Sequence, residues 1–219
     1  MVKIPKATKA IICDFDQTLV KFIVDWDQLR QTTADIFKKN GFEVDSKSLR
    51  PIFEQTAKQL QFLENSCTSD KIISQISADL LAAQETFELE SINAIILFPD
   101  TRPFLRYISD QGLKTGLLTS NTSSVTKKIF SRFRISPEIP IIGREDVKYP
   151  KPNLEGITKL LEKLNLPGES CVLIGDTDSD MDIANKIGAL AVFLKRSESQ
   201  YLSHSKPDFT INSLSEISF

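Results

Sequence analysis

After Phe98 the chain alternates short apolar runs with amphipathic stripes of helical period, and no other feature constrains the fold as strongly. "KTGLLTSN", "IPIIG", "SCVLIGDTDSD", "ALAVFL" and "DFTI" read as buried strands. Between them Thr101–Gln111, Ser123–Phe133, the stripe Leu154, Ile157, Leu160, Leu161, Leu164, and Asp180–Ile187 read as helices. Gly112 and Gly188 close two of these helices. Strands that alternate with helices build a parallel, doubly wound sheet, so the expected fold is α/β: a Rossmann-like, three-layer α/β/α core. The apolar run Ala10–Phe15 fits the same sheet, although a segment of helical texture separates it from the rest.

That segment, about Phe22 to Ile96, shows three apolar stripes. The first is Trp26, Leu29, Ile36 and Phe37, with Asp25 as N-cap and Asn40-Gly41 as its stop. The second is Leu49, Ile52, Phe53, Leu60 and Leu63. Pro51 fits only a first turn, so this helix is expected to begin near Asp45 or Ser48. The third is Ile72, Ile73, Ile76, Leu80, Leu81 and Phe87, capped by Ser69. The predicted organisation is a core of residues 1–19 and 98–219 with a small all-helical cap of residues 20–97 inserted.

The 219 residues suffice for a core with such an insert. A formal charge of −2 gives no basic field for nucleic acid. No run approaches a membrane span, and the N-terminus has no signal-peptide pattern. Cys13, Cys67 and Cys171 are odd in number and without metal-ligand spacing, as expected of a reducing compartment. The expectation is a soluble, cytoplasmic protein.

In open parallel sheets function gathers at the carboxyl ends of strands. The first strand ends in Asp14 and Asp16, the second in Thr119, Ser120 and Asn121, and the fourth in Asp176 with Asp180 four residues on. "KYPKPN" supplies Lys148 and Lys151 between the third strand and its helix. Burying even one carboxylate at a strand end is costly, so paired acids there need a task. Phosphoryl transfer supplies one. One carboxylate attacks phosphorus, and a second protonates the leaving oxygen and later activates water. Residues at i and i+2 of an extended chain point the same way, so Asp14 and Asp16 address one substrate. A hard cation such as Mg²⁺ relieves their repulsion, with Asp176 completing its cage. A threonine hydroxyl, backbone N–H groups and a lysine hold the remaining phosphate oxygens.

"DFDQTL", "LLTSN", "KPN" and "GDTDSD", in this order, resemble the four motifs of the haloacid dehalogenase-like hydrolase superfamily. "LFPDTRPFLRYISDQGLKTGLLTSN" and the position of the helical insert resemble its phosphoglycolate-phosphatase-like branch. The resemblance implies roles. Asp14 matches the nucleophile. Asp16 matches the general acid/base, with its carbonyl as a metal ligand. Thr119 matches the phosphate-binding hydroxyl and Lys151 the motif lysine. Asp176 matches the metal-binding acid and Asp180 its companion, direct or through water. The expected site is Asp14, Asp16 and Lys151 for catalysis; Thr119, Ser120, Asn121 and Lys151 for phosphate; and Asp14, Asp16, Asp176 and Asp180 for Mg²⁺. The aspartate at position 16 points to a phosphatase or a phosphomutase within the superfamily.

Three positions depart from the pattern: Gln17 and Asp100 stand where glycine is usual, and Leu154 where a second proline often follows the lysine. Asp100 is expected to cap the following helix. The Lys-Pro step favours Lys151 over Lys148. Asp178 and Asp182 read as helix N-terminal charges, His204 as a solvated residue, Trp26 as core, and Lys21 as a solvated lysine or a contact to an anionic substrate group. The expected activity is Mg²⁺-dependent hydrolysis of a small phosphorylated metabolite, with phosphoglycolate as the family-level substrate and cap closure excluding water. The open alternatives are a phosphomutase, a pyrophosphatase, a receiver-like or other phosphate-binding regulatory module, and either a monomer or a homodimer.

Overall fold

The computed structural model describes residues 1–66, 68–135, 138–197 and 200–218, so Cys67 lies outside the described residues. The chain forms two compact units. One comprises Met1–Phe22 and Ile95–Phe219, the other Ile23–Ala94.

The first unit begins with β1 (Val2–Lys3), β2 (Ala10–Cys13) and β3 (Val20–Lys21). The second unit holds α1 (Trp26–Lys39), α2 (Ile52–Asn65) and α3 (Asp70–Ser91). The chain then returns through β4 (Ile96–Leu97), α4 (Thr101–Asp110), β5 (Lys114–Leu118), α5 (Ser123–Arg132), β6 (Ile141–Ile142) and α6 (Glu155–Leu164). It ends with β7 (Cys171–Gly175), α7 (Asp178–Ile187), β8 (Leu190–Leu194), β9 (Phe209–Ile211) and β10 (Ile217–Ser218).

The central sheet has the order β6-β5-β2-β7-β8-β9, and every pair in it is parallel. Ala10, Ile12, Leu173, Ala191 and Phe193 pack on one face with Ile157 and Leu160 of α6 and Met181 and Ala184 of α7. The alternate residues Ile11, Cys13, Val172, Ile174 and Val192 are equally buried. Both faces are therefore covered, as period-two strands in a doubly wound sheet require. α4 packs on β5, and Phe130 of α5 meets Phe15 edge-on at 5.5 Å between centroids. Successive strands build outward from β2 through β5 to β6, then restart on its other side at β7. The switch point between β2 and β7 opens a crevice at their carboxyl ends.

The short elements differ from the sequence expectations. β3 and β4 pair antiparallel, Val20 with Leu97 and Lys21 with Ile96, where the sequence shows only helical texture. β1 pairs with β10. The second helix does not start near Asp45 or Ser48. Ser46–Ser48 form a separate 3-10 turn, and α2 starts at Ile52 with Pro51 as its N-cap. Proline disfavours helical backbone in the residue before it, so Arg50 breaks the run. Asp100 makes no capping bond to α4. Its carboxylate instead accepts from Arg196 at 2.7 and 3.0 Å, from Ser213 Oγ at 2.7 Å and from the Leu214 N–H at 2.9 Å.

In the helical unit, the Asp25 carboxylate accepts from the Gln28 N–H at 2.9 Å, and Asn40 closes α1. Phe37, Leu63, Ile73, Ile76 and Leu80 form its apolar centre. Trp26 is half-buried and packs edge-on against Phe53. Among the described residues, no helix is long and apolar enough to cross a membrane.

Candidate active site

The crevice is built from strand ends. The Asp14 N–H donates to Ile174 O at 2.9 Å, which extends the β2–β7 ladder to the first acid. Asp176 follows β7 directly, and Asp180 lies in the first turn of α7. Carboxylate oxygens of Asp14, Asp176 and Asp180 lie within 4.8 Å of one another. Lys151 Nζ donates to Asp14 Oδ1 and to Asp180 Oδ1, both at 2.7 Å. All three side chains are buried, the lysine 7% exposed and its partners 8% and 2%. Lys148 takes no part in this bridge; its Nζ lies over the Tyr149 ring at 4.9 Å.

Asp180 also builds the start of α7. Its Oδ2 accepts from Thr177 Oγ1 at 2.6 Å and from the Thr177 N–H at 3.2 Å, a capping box that starts α7 at Asp178, two residues earlier than its sequence suggests. Gly175 makes room for it, since a Cβ there would stand 2.4 Å from Asp180 Cγ.

Asp16 sits in the turn after β2. Its Oδ1 accepts from the Gln17 N–H at 2.8 Å, Gln17 Nε2 at 3.1 Å and the Phe22 N–H at 2.9 Å. Gln17 adopts φ +54, the left-handed backbone that glycine takes without strain. The turn expected of a glycine is therefore kept, and the glutamine adds a donor to Asp16.

The second strand end contributes hydroxyl and amide groups. Thr119 and Asn121 are buried, and Ser120 is half-buried. Thr119 Oγ1 accepts from the Asn121 N–H at 3.1 Å, which leaves its proton to donate. Asn121 Nδ2 is buried without a partner among the described residues.

These placements govern the electrostatics. Burial pushes the Asp14 carboxyl up to about 6; Lys151 pulls it down and Asp180 adds to the rise. Burial pushes Asp16 up to about 7, opposed by the Phe22 N–H. Burial, with Asp14 and Asp180 nearby, holds Asp176 well above the usual carboxylate range. Burial opposes the charge on Lys151 too, yet Asp14 and Asp180 outweigh it and raise its pKa. Three adjacent acids that resist ionising together, all hard oxygen donors, suit a small divalent cation.

Residues 11–193 match the haloacid dehalogenase-like hydrolase family. The chain belongs to this family. Among curated relatives, a protein of Caldanaerobacter subterraneus subsp. tengcongensis named as a pyrophosphatase, PpaX, is 28% identical over 118 residues, covering 52% of this chain and 54% of its own. Phosphoglycolate phosphatase of Vibrio parahaemolyticus is 25% identical over 124 residues, 55% of this chain and 54% of its own. The chain thus spans about half the length of the curated relatives it matches. The crystal structure of β-phosphoglucomutase from Clostridium difficile shares the fold with a TM-score of 0.65, 20% identity, and coverage of 97% of this chain and 94% of that one.

Within this family member, some partners carry no local sequence signal. Glu145 receives the Ser123 N–H at 2.9 Å, Ser123 Oγ at 2.7 Å and the Ser124 N–H at 3.2 Å, so its carboxylate occupies the N-terminus of α5. Gly143 allows that approach, since a Cβ would stand 2.2 Å from Ser123 N. His204 is exposed but not merely solvated, since its Nε2 lies 3.2 Å from Asp182 Oδ2. Asp178 is a helix N-terminal charge that also receives the backbone of residues 203–205. Lys21 is exposed on β3.

Proposed function

We propose that this chain is a Mg²⁺-dependent phosphatase that hydrolyses a small phosphomonoester through an aspartyl phosphate on Asp14. The observation that carries the reading is the buried bridge Asp14–Lys151–Asp180 beside Asp176, with Asp16 two residues from Asp14. A structural ion pair needs neither the third acid nor the fourth.

An Asp14 oxygen attacks phosphorus while the bond to the leaving oxygen breaks. Asp16, protonated below about 7, gives its proton to that oxygen. Water then attacks the same phosphorus and passes a proton to Asp16; the bond to Asp14 breaks and phosphate leaves. Lys151 orients Asp14 and neutralises the transferred group. The Thr119 hydroxyl, Ser120 and the unpartnered Asn121 amide donate to the phosphate oxygens. The Asp14 and Asp176 carboxylates and the Asp16 carbonyl would hold the cation, with Asp180 completing the cluster while its oxygens hold Lys151 and Thr177. When bound, Mg²⁺ supplies charge neutralisation to the acids and the phosphoryl oxygens.

Phosphoglycolate and pyrophosphate are the first substrates to try, on the names of the relatives above. The buried free thiols Cys13 and Cys171 support a reducing, cytoplasmic setting. The test is phosphate release across a panel of small phosphomonoesters and pyrophosphate, with Mg²⁺, with chelator and with Asp14→Asn. Release that needs both Mg²⁺ and Asp14 is expected. No release from any compound by folded, Mg²⁺-loaded protein overturns the reading.

A further inference from the structure

The chain leaving β8 is tied down at two places. First, Arg196 forms the bidentate pair with Asp100, donates from Nη2 to Thr18 O at 2.7 Å, and lies over the Phe98 ring at 4.1 Å from its centroid. Its side chain is 10% exposed, so this anchor is largely buried. Thr18 belongs to the turn that carries Asp16, so the anchor grips the first strand end. Second, the N–H groups of Ser203, His204 and Ser205 converge on the Asp178 carboxylate at 2.8, 3.1 and 2.8 Å, and Ser203 Oγ joins them at 2.6 Å. That anchor grips the start of α7.

Gln200 lies between the two anchors. Its N–H donates to Ser197 O at 3.2 Å, and the Ser197 N–H returns to Gln200 Oε1 at 2.8 Å. With the oxygen of the amide so occupied, its nitrogen must face the other way, and Nε2 donates to Asp176 Oδ2 at 2.9 Å. The two bonds fix the amide orientation, since only one assignment of O and N satisfies both. Among the described residues, this is the one hydrogen bond that the Asp176 carboxylate receives.

We propose that Gln200 is a positioning residue for the divalent cation: by holding Asp176 Oδ2 it fixes the orientation of the carboxylate that would help to hold the metal. The inference rests on the reading of Asp176 as a cation ligand. Mg²⁺ demands near-ideal octahedral geometry, so a carboxylate free to rotate binds it less well. Outer partners of metal ligands typically contribute about 10–100-fold in affinity. The anchors at Arg196 and at residues 203–205 flank Gln200 in the sequence.

The test is direct cation binding, free of turnover. Free Mn²⁺ is followed by electron paramagnetic resonance, with Mg²⁺ as competitor, on the wild type, Gln200→Met, Gln200→Ala and Asp176→Asn. Methionine keeps the length of the side chain but removes the whole amide, both the Nε2 donor to Asp176 and the Oε1 acceptor from Ser197; melting in chelator establishes that each variant is folded. The expected result is a fall of about 10-fold or more in Mn²⁺ affinity for both Gln200 variants and loss of binding for Asp176→Asn. Wild-type affinity in Gln200→Met, with binding lost in Asp176→Asn, overturns the role of Gln200 alone. Undiminished binding in Asp176→Asn overturns the assignment of Asp176 and this inference with it.

Discussion

In the helical unit two ion pairs lie on the surface. Glu54 meets Lys58 at 2.6 Å with side chains 26% and 58% exposed, and Asp27 meets Arg50 at 3.0 Å with 82% and 63% exposed. In the α/β unit Lys151 bridges two acids at the same short range with all three side chains at or below 8% exposure. The surface pairs are screened by water and contribute little. The buried bridge carries a desolvation cost that its Coulombic attraction does not reliably recover. Among the described residues the cluster of three acids lies in the α/β unit, and the proposed chemistry is placed there.

The comparison is broken most readily by isosteric changes. Asp14→Asn is expected to lower phosphate release by about 10³-fold or more, as loss of a nucleophile does, while circular dichroism stays that of the wild type. Asp27→Asn on the helical surface leaves release unchanged. Asp16→Asn is expected to cost about 10²–10⁴-fold in kcat, the usual range for a general acid/base. Equal losses from Asp27→Asn and Asp14→Asn in the same assay would dissolve the distinction between the units.

Stability sharpens it. Lys151→Ala leaves Asp14 and Asp180 buried without their cation, and urea unfolding in chelator should show a loss of about 3–5 kcal/mol. Lys58→Ala should cost less than about 1 kcal/mol. The pH dependence differs in sign as well. The folded-state values of Asp14 and Asp16 are raised to about 6 and about 7, so folding favours their protonated forms. Their contribution is full below about pH 4 and is lost as pH rises through about 6 and 7. The melting temperature in chelator should therefore receive a falling contribution from these two acids over that window, and the stabilisation by Mg²⁺ should grow over the same range. Asp27, lowered by its bonds to Arg30, contributes in the opposite sense, losing its effect as pH falls. The smallest expected effect is at Gln17. Gln17→Gly relieves left-handed backbone at a gain of up to about 1 kcal/mol, offset in part by the lost bond to Asp16, as read from urea midpoints.

The sequence is most informative where a local pattern carries the information. Apolar runs that end in polar residues mark the ends of β2, β5 and β7, and hence Asp14, Asp16, Thr119 and Asp176. Asp25 and Asn40-Gly41 bound α1 through cap chemistry alone. What stays hidden is side-chain pairing across long separations. Arg196 and Asp100 stand 96 residues apart, and Glu145 reaches Ser123 across 22. Gln200 reaches Asp176 across 24 from a loop without periodicity. β3 and β4, two residues each, are too short to show alternation. Pro51 was legible as a boundary, but whether it stood in a first turn or at the N-cap depended on Arg50 before it.

The central claim is that Asp14 carries the phosphoryl group, and it is tested most directly by trapping. A single turnover is quenched in acid and reduced with borohydride, which converts an aspartyl phosphate to homoserine, and the peptides are mapped by mass. The account predicts homoserine at position 14 in the presence of substrate and Mg²⁺, and none with chelator. Phosphate release at full rate with position 14 unmodified, or modification at another aspartate, would contradict it.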